Sequence, residues 1–478
     1  MGIPRSLLRV RTILAAFIVA LFLIWSAARW RSYASVSSFS LGQTSGATQT
    51  SLASLDLTAA HQKFWRSFNG YLENYGPDTN SIVKDEKAPT VGFKAKNPDP
   101  RPSYLAVATE DVTIIQQAHA EFVAAITGEA PQLQYIPGTR GVVSTAGGAY
   151  LPVLVISLRM LRRTGSTLPM EVFMADEDEY EDYICDVVLP SLNAKCIVLS
   201  RILAASPAQI EKYQFKPFAM LFSSFEEILF LDADAFPLED PEDLFKGEPF
   251  RTKGLIVGTT APPMDLRQST ESGEVLLSKK THMRTLLLAT YYNYWGPTHY
   301  WPLLSQGAAG EGDKETFLAA ATIMHEPFYQ VSESICAIGH GKEGGLAGSA
   351  MAQFNPMQDY YLTSQGKSHV RGDEAPAPDV FFIHANFPKF NPATVFEEHE
   401  VNPAFNDDGS YTRAWTIPQE VVARFNAKVD IEKAFWREIL WTACELESKF
   451  ASWEGEFGVC DGVKDYWQNV FESNELPS

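Results

Sequence analysis

Apolar and polar segments alternate along residues 140–235 in a pattern that predicts strands separated by helices. Short apolar runs have the length of buried strands, and the intervals between them have helical periodicity. The predicted strands cover 141–148, 170–176, 194–200 and 227–234, and the predicted helices cover 150–165, 179–192 and 216–225. Strands alternating with helices of this length are typical of βαβ units. We therefore predict an α/β fold with a largely parallel central sheet, whose ligand lies at the carboxyl ends of the strands.

A different pattern occupies the amino terminus, where an apolar run covers residues 12–28. The run lies between arginines and reaches roughly 25 Å as a helix, near the short end of the range for membrane spans. A cleaved signal peptide is the alternative interpretation. However, bulky residues continue to the end of the run, and Arg29-Trp30-Arg31 follows where a cleavage site needs small residues. We therefore predict an uncleaved transmembrane anchor after a cytoplasmic tail of residues 1–11.

Residues 29–102 have the composition of a stem. The stretch from Ser32 to Leu55 is rich in Ser, Thr and small residues, so it cannot bury enough apolar surface to fold by itself. Apolar positions at helical spacing in 56–75 predict one short helix, and a proline-containing polar segment follows it. We therefore expect the globular body to cover residues 103–478. This layout is that of a single-pass type II protein of the Golgi membrane, with a cytoplasmic tail, an anchor, a stem and a lumenal body.

Composition and charge set bounds on the partners of this chain. It has 478 residues, of which 45% are hydrophobic and 12% aromatic, so it can form a sizeable core. With 39 basic and 58 acidic residues, its formal net charge is −19, which disfavours binding to phosphate backbones. We therefore expect no nucleic-acid partner.

The five cysteines lack the spacing of a zinc site. If the body is lumenal, it lies in an oxidising compartment, in which disulfides form. The near-neighbour pairings are Cys185 with Cys196 and Cys444 with Cys460, although the sequence leaves the connectivity open. The chain has no Asn-x-Ser/Thr sequon, so we expect no N-glycans on it.

Two acidic pairs follow predicted strands. Alternation along an extended chain points Asp232 and Asp234 to one side, where both carboxylates can share Mg²⁺ or Mn²⁺ with phosphate oxygens of a ligand. Asp176 and Asp178 form an equivalent pair, which we interpret as a solvent-exposed helix start, because the helix dipole favours acids there. A continuous apolar strand before Asp232 and a helix start at Asp240-Pro241 favour the first pair as the metal site.

Four long blocks stand out between residues 135 and 400. They are GVVSTAGGAYLPVLVISLRMLRRTGSTLPMEVFMADEDEYE, KPFAMLFSSFEEILFLDADAFPLEDPEDLF, RQSTESGEVLLSKKTHMRTLLLATYYNYWGP and LLSQGAAGEGDKETFLAAA. In this order they resemble the fungal Golgi mannosyltransferases of glycosyltransferase family 71, which build cell-wall mannan through α-1,2 and α-1,3 linkages. The third block and GEGDKETF are most similar to the α-1,2 branch-initiating type.

This resemblance implies a GT-A fold, with a single nucleotide-binding sheet and an acceptor-side half. It also implies GDP-mannose as the donor, Mn²⁺ or another divalent cation, and a mannose-containing glycan acceptor. Asp232 and Asp234 match the D-x-D of the family, which holds the metal that bridges the donor diphosphate. The metal would stabilise the charge that develops on the GDP leaving group. Association with other Golgi mannosyltransferases in a complex is a further expectation.

Three residues outside the D-x-D are expected to complete the donor site. His384 ends an apolar run and resembles the late histidine that completes the metal shell in several retaining GT-A enzymes. The alternative interpretation is that His384 is an ordinary packed or solvated side chain without a ligand role. Lys389 is placed to contact the diphosphate. Lys216, on the helix before the fourth strand, is a further candidate for donor contact, with a surface lysine as the alternative.

Residues near the transferred sugar are expected from two segments. Glu271, Ser272 and Gly273 open the next strand, where small residues allow close approach of the sugar and Glu271 is a candidate catalytic carboxylate. Asp313 occupies the loop-to-helix joint at which related retaining enzymes place an acid near the sugar. Its alternative role is the N-cap of a helix beginning at Lys314.

Acceptor recognition is less defined by the sequence. The aromatic stretch 289–304 offers Tyr and Trp rings for stacking on acceptor mannose, although core packing explains these residues equally well. Relatives carry a longer Trp-rich segment before RQSTESGE, whereas only GTTAPPMDL, residues 258–266, intervenes here. A loop contraction and a missing exon are the two explanations for this difference.

The sequence thus predicts a metal-dependent retaining α-mannosyltransferase. It would transfer mannose from GDP-mannose to mannose residues of mannan or N-glycan outer chains, in α-1,2 linkage. An α-1,3 enzyme of the same family is the first alternative. The second alternative is a membrane-tethered scaffold that binds the donor or a glycan without transferring sugar.

Overall fold

A computed structural model of the protein describes residues 57–84, 104–204, 210–258, 270–307, 312–370 and 372–472. The predicted tail, the anchor at 12–28 and most of the predicted stem lie outside these ranges. Among the helices that the structure describes, none combines the length and the apolar character needed to cross a bilayer.

The described residues contain the strands and helices expected of an α/β protein. The strands are β1 Val83–Lys84, β2 Leu105–Ala106, β3 Ile136–Thr145, β4 Met170–Met174, β5 Ala194–Val198, β6 Phe225–Leu231, β7 Ala235–Pro237, β8 Leu255–Gly258, β9 Glu271–Ser278, β10 Tyr329–Gln330, β11 Cys336–Lys342, β12 Gly345–Phe354 and β13 Val380–His384. The α-helices are Thr58–Asn74, Thr109–Gly128, Leu151–Arg163, Leu189–Ser191, Leu199–Leu203, Phe215–Phe222, Glu242–Lys246, Phe250–Lys253, Met283–Tyr294, Trp301–Ser305, Thr316–Met324, Pro356–Ser364, Gln419–Phe425, Ile431–Leu446 and Val459–Trp467. The four predicted strands are therefore confirmed as β3, β4, β5 and β6.

The predicted helix over 179–192 is only partly confirmed. The chain forms a 3₁₀ turn at Glu177–Glu179, a π-helical stretch at Ile184–Val188 and one α-helical turn at Leu189–Ser191. Pro190 has no N–H to donate, and its ring crowds the carbonyl four residues earlier, which favours a wider turn at this point.

The main sheet has seven strands in the order β10-β8-β9-β6-β3-β4-β5. Strand β9 runs antiparallel to both β6 and β8, and the other neighbouring pairs are parallel. The sheet is therefore mixed, and the predicted parallel pairing holds for β3, β4, β5 and β6. The right-handed rule for such crossovers predicts that the helices Leu151–Arg163 and Phe215–Phe222 cover opposite faces of this sheet.

The strand order creates a switch point beside β3. The chain moves from β3 outward to β4 and β5, and then returns to pair β6 with the other edge of β3. The loops that follow β3 and β6 therefore leave the sheet in opposite directions and open a crevice at its carboxyl edge. Asp232 and Asp234 follow β6 directly and lie at this crevice.

A second sheet, which the sequence did not predict, joins the first at the same point. It is antiparallel, with the order β11-β12-β13-β7. The loop of residues 232–234 connects β6 in the main sheet to β7 in the second sheet. The seven-stranded sheet is therefore not the only one, and β1 and β2 form a further two-stranded sheet. Strand β12 is rich in Gly and Ala, residues with low strand propensity, so its sequence carried little signal.

The helix Thr58–Asn74 confirms the short helix predicted for 56–75, but it belongs to the globular body rather than to a stem. Trp65 is fully buried, with its ring centroid 5.6 Å from that of Phe218 and 6.0 Å from that of Phe222. The compact unit accordingly begins at Leu57. The predicted boundary at Ser103 lies too late, because the amphipathic helix buries its apolar face against the body.

Two disulfides link neighbouring elements. Cys185 is bonded to Cys196, and Cys444 to Cys460, which are the near-neighbour pairings expected from the sequence. Cys336 is free.

Candidate active site

The loop between β6 and β7 presents Asp232 and Asp234. Asp232 N donates to Gly273 O at 2.8 Å, and Ala235 N donates to Asp232 O at 3.0 Å, so the loop is fixed to β9 and to itself. Asp234 is buried, whereas the Asp232 side chain is 29% exposed. The pair therefore stands where the two sheets meet, with Asp232 turned toward solvent.

His384 approaches this pair from the second sheet. The register pairs His384 of β13 with Ala235 of β7. Its Nε2 lies 3.1 Å from Asp234 Oδ1 and 3.9 Å from Asp232 Oδ2. Gly273 provides the room for the ring, because a Cβ at this position would lie 2.6 Å from His384 Nδ1. The structure thus brings together the three residues expected to bind a metal.

The donor atoms of this cluster fit a divalent cation. One ligand atom from each of Asp232, Asp234 and His384 lies within 4.8 Å of the others. Two carboxylates and one imidazole form an oxygen-rich set that suits Mn²⁺ and related ions. The partial exposure of Asp232 leaves one side of the cluster accessible to water or to the oxygens of a ligand.

Positive charges surround Asp234. Lys389 Nζ donates to Asp234 Oδ2, and His384 contacts its other oxygen. Burial by itself would raise the pKa of Asp234, but His384 and Lys389 hold it well below its usual range. Burial likewise opposes ionisation of His384, but Asp234 raises the pKa of the imidazole well above its ordinary value. A cation bound here would replace the imidazolium proton.

Lys216 links Asp232 to Asp313. Its Nζ lies 3.2 Å from Asp232 Oδ1 and 3.1 Å from Asp313 Oδ2, and it donates to Ser272 O at 2.7 Å. Lys216 is 6% exposed, so the interpretation as a surface lysine is wrong. Burial alone would lower the pKa of Lys216, but the two carboxylates outweigh it and raise the pKa. The ammonium therefore stays charged and holds both carboxylates in place.

The Asp313 side chain belongs to this network and does not cap a helix. The helix begins at Thr316, not at Lys314, and it is the Asp313 backbone oxygen that accepts from Thr316 N at 2.9 Å. The carboxylate instead accepts from Ser272 Oγ at 2.9 Å and pairs with Lys216. The interpretation of Asp313 as a cap alone is therefore wrong.

Glu271 supports His384 from the side opposite to Asp234. Its Oε1 accepts from Gly273 N at 2.9 Å and lies 3.5 Å from His384 Nδ1. Burial would raise the pKa of Glu271, but the contact with His384 outweighs burial and lowers it to about 2. Glu271 is therefore ionised and faces the imidazole at ion-pair distance, while His384 Nδ1 has no hydrogen-bond partner within the described residues.

The second acidic pair has a different arrangement. Asp176 Oδ1 accepts from Asp178 N at 3.0 Å and from Glu179 N at 3.3 Å, as the cap of the turn Glu177–Glu179. Its interpretation as a solvent-exposed helix start is confirmed.

The aromatic stretch 289–304 lies mostly in the core. Tyr291, Tyr292 and Tyr300 are 0%, 4% and 5% exposed and pack against one another. Tyr292 also makes a 2.8 Å hydrogen bond with His119. These rings are not available for stacking on an acceptor, and core packing accounts for them.

Comparison with known proteins identifies the family to which this site belongs. A family model described as "Mannosyltransferase putative" matches residues 139–257 and 264–355. Alpha-1,2-mannosyltransferase MNN2 of Saccharomyces cerevisiae is 31% identical over 412 residues, which are 68% of this chain and 69% of the relative. The chain belongs to the fungal mannosyltransferases of glycosyltransferase family 71.

Other similarities of this family 71 member extend over less of the matched protein. Alpha-1,2-mannosyltransferase MNN21 of Candida albicans is 32% identical over 393 residues, which are 65% of this chain. The match covers 59% of MNN21, so the chain spans less than two thirds of that relative. The glycosyltransferase GlyE of Streptococcus pneumoniae TIGR4 matches with a TM-score of 0.29 and 16% identity, over 40% of this chain and 45% of GlyE. A structural similarity this low supports no conclusion about the site.

The match to the mannosyltransferase family is interrupted between residues 257 and 264. This interruption falls within GTTAPPMDL, the segment expected to be shorter here than in relatives. Residues 259–269 of this segment and of the chain after it lie outside the described part of the chain.

Glu274 was not among the predicted site residues. It is 6% exposed, and neither of its carboxyl oxygens has a hydrogen-bond partner within the described residues. Together with Gln353, whose Nε2 is also unpaired, it lines a cavity of about 30 Å³ between β9 and the second sheet. Burial raises the pKa of Glu274 to about 8. The alternation of β9 could have indicated this position, because Glu274 points away from Glu271 and Gly273.

We expect Glu274→Gln to stabilise the protein at pH 8 and to change its stability little at pH 5. The unfolded glutamate ionises near its ordinary pKa of 4.5, whereas folded Glu274 keeps its proton up to about pH 8. Between these values the unfolded state binds fewer protons, so this group lowers the free energy of unfolding as the pH rises. Glutamine does not ionise, so the free energy of unfolding of the variant should exceed that of the unmodified protein by up to about 4 kcal/mol at pH 8. Urea unfolding of the metal-free protein at both pH values measures the difference.

The exposed Glu110→Gln is a matched control for this experiment. It removes the same charge without affecting the cavity, and should change the free energy of unfolding by the same small amount at both pH values. If Glu274→Gln raised the free energy of unfolding equally at pH 5 and pH 8, the pH dependence of stability could not be assigned to Glu274.

Proposed function

We propose that this protein transfers mannose from GDP-mannose to a mannose hydroxyl of a glycan acceptor. The proposed reaction forms an α-1,2 linkage with retention at the anomeric carbon and needs Mn²⁺ or another divalent cation. The observation that carries the proposal is the cluster of Asp232, Asp234 and His384 at the switch point of the sheet, in a family 71 chain. Relatives in two yeasts are named alpha-1,2-mannosyltransferases. A GT-A type of fold is part of the same proposal.

The donor diphosphate is assigned to the side of Asp234. Asp232, Asp234 and His384 would hold the cation, which as a Lewis acid would stabilise charge on the departing diphosphate. Lys389 adds a second positive charge on this side, and its side chain is 37% exposed, so its ammonium can contact a phosphate oxygen. Positive charge therefore concentrates where the leaving group becomes more negative.

The transferred mannose is assigned to the side of Asp232 and Asp313. Positive charge develops at the anomeric carbon as the glycosidic bond breaks, and nearby carboxylate oxygens stabilise it. Lys216 and Ser272 fix the Asp313 carboxylate, so it is held in one orientation before the reaction. We assign electrostatic stabilisation of the sugar to Asp313, with Glu271 as a second carboxylate on the same strand as Ser272.

The configuration at the anomeric carbon is retained when the acceptor hydroxyl attacks that carbon from the same face from which the diphosphate leaves. A bond forms between the hydroxyl oxygen and the anomeric carbon while the bond from that carbon to the phosphate oxygen breaks. The departing phosphate oxygen accepts the hydroxyl proton. This step requires no nucleophile from the protein.

The proposal is tested by incubating the purified protein with labelled GDP-mannose, α-mannobiose and Mn²⁺. We expect a labelled trisaccharide with a new α-1,2 linkage by NMR, and none with EDTA or with UDP-glucose as the donor. A new α-1,3 linkage would favour the first alternative. Binding of GDP-mannose without transfer by folded protein would favour the scaffold.

We propose further that the protein is anchored in the Golgi membrane through residues 12–28, with the body in the lumen. The disulfides Cys185–Cys196 and Cys444–Cys460 support this assignment, because disulfides persist in oxidising compartments. Protease should digest the body of the protein in sealed microsomes only after detergent is added. Digestion without detergent would refute the lumenal placement.

A further inference from the structure

Three aromatic side chains at the edge of the site are exposed, in contrast to the buried tyrosines of 289–304. Tyr150, Tyr213 and Phe387 are 49%, 57% and 43% exposed. The Tyr150 ring centroid lies 5.7 Å from Lys389 Nζ, and Phe387 stands between His384 and Lys389 in the chain. These two rings therefore belong to the diphosphate side of the site. Tyr213 is separate from them and lies on the side of Asp313.

Two connections place Tyr213 beside the sugar side of the cluster. It lies in the turn Lys212–Gln214, which leads directly into the helix that carries Lys216. It also adjoins Gly312, the residue before Asp313, since a Cβ on Gly312 would lie 3.3 Å from Tyr213 Cδ2. Because Lys216 and Asp313 are in contact with each other, the Tyr213 ring stands at the solvent edge of the same network.

The backbone around Tyr213 is held in a specific conformation. Lys212 has a φ of 50°, in the left-handed region that costs energy for a residue with a side chain. Glu211 and Gln214 form a reciprocal capping box over this turn. Gln214 also donates to Asn293 O at 2.8 Å, which anchors the turn to a buried helix. The turn is therefore stabilised from both sides while it keeps Tyr213 in solvent.

A buried neighbour supports the Tyr213 ring itself. Trp301 meets it edge to face, with ring centroids 6.1 Å apart, and Trp301 is 9% exposed. Trp301 is in turn fixed by a 3.0 Å hydrogen bond from its Nε1 to Asn293 Oδ1. One side of an otherwise solvent-exposed ring is thus supported by the core, which is the arrangement needed for a planar binding surface.

We propose that Tyr213 is the residue on which a mannose ring of the acceptor stacks. This inference rests on the proposed function. The acceptor is an uncharged sugar with an apolar C–H face, and tyrosine offers an apolar ring face with a polar rim. The donor diphosphate is assigned to the opposite side, near Lys389, so the Tyr213 side is the side open to the second sugar. Tyr213 would act as a positioning residue that determines acceptor affinity, without taking part in bond breaking.

The test compares acceptor and donor kinetics of Tyr213→Ala, Tyr213→Phe and Tyr213→Trp with those of the unmodified protein. Loss of the ring should raise the KM for α-mannobiose about three- to tenfold. The kcat at saturating acceptor, the KM for GDP-mannose and the slow hydrolysis of GDP-mannose without acceptor should change less than about twofold. Phe and Trp should retain the acceptor KM, because they keep the ring. Tyr361→Ala removes a tyrosine that is 66% exposed on another helix and should leave all parameters unchanged.

The outcomes separate this inference from the proposed function. An unchanged acceptor KM in Tyr213→Ala, or a rise in the KM for GDP-mannose instead, would overturn the role of Tyr213 while leaving mannosyl transfer established. If the unmodified protein transfers no mannose, the proposed function fails. Saturation-transfer NMR with α-mannobiose then decides the role of the ring: binding that Tyr213→Ala weakens supports it, and equal or absent binding refutes it.

Discussion

Asp232→Ala should reduce mannosyl transfer by about a thousandfold or more. The reason is that Asp232 supplies the accessible carboxylate of the cluster, 3.9 Å from His384 Nε2, and is one of the three groups proposed to hold the cation. Without it, charge on the leaving diphosphate would lose much of its stabilisation. The measurements are the initial rate with GDP-mannose and α-mannobiose, and Mn²⁺ binding by electron paramagnetic resonance. Asp234→Ala should have an effect of the same size.

Asp176→Ala is the matched control for these two variants, because it also removes an aspartate that directly follows a strand. Within the described residues, Asp176 accepts only backbone hydrogen bonds of its own turn. Transfer should therefore stay within about twofold, and any loss of stability should be about 1 kcal/mol. Equal loss of transfer in all three variants would refute the distinction between the two pairs. Weak Mn²⁺ binding with unchanged transfer would refute the metal requirement.

Lys216→Met should lower the free energy of unfolding by about 3–5 kcal/mol. Methionine has a similar volume but leaves the Asp232 and Asp313 carboxylates close together without the charge that now lies 3.2 and 3.1 Å from them. Transfer should also fall steeply, because both carboxylates lose their orientation. Urea unfolding of metal-free protein measures the stability, and the transfer assay at saturating substrate measures the second effect.

Two further variants are controls for the loss of stability expected of Lys216→Met: a double variant that also changes Asp313, and a variant of the surface lysine Lys428. Asp313→Asn removes one of the two unpaired charges, so Lys216→Met with Asp313→Asn should be more stable than Lys216→Met alone. Lys428→Met removes a lysine that pairs at 3.4 Å with Glu239 on the surface, and should change the free energy of unfolding by about 0.5 kcal/mol or less. A similar loss in Lys216→Met and Lys428→Met would contradict the buried role of Lys216.

The strands of the main sheet were predictable for a physical reason. Strands β4 and β6 are largely buried, so their sequences are mostly apolar, whereas only the second half of β3 is buried. Asp232 and Asp234 were then recognisable as the polar end of such a run. The second sheet was not predictable, because its strands are Gly- and Ala-rich or very short and its pairing of β7 with β13 joins segments far apart in the chain.

The members of the site were recognised to different degrees. Glu271, Gly273, His384 and Lys389 were named from their positions, but their mutual contacts depend on how β9 and β13 approach β7. Glu274 was missed, although it lies on the same strand as Glu271. In the sequence, Glu274 is only an acidic residue at an alternating position of a predicted strand. No neighbouring residue in the chain indicates that it is buried between two sheets.

The α/β pattern, the family and the D-x-D were recognisable from the sequence, because each depends on residues that are neighbours in the chain. The folded protein was needed to show that Lys216 is a buried link between Asp232 and Asp313, and that the aromatic stretch 289–304 lies mostly in the core while Tyr213 stays exposed. Burial and ion pairing depend on contacts between distant segments. A lysine or a tyrosine has the same local sequence signal whether its neighbours in space are water or protein.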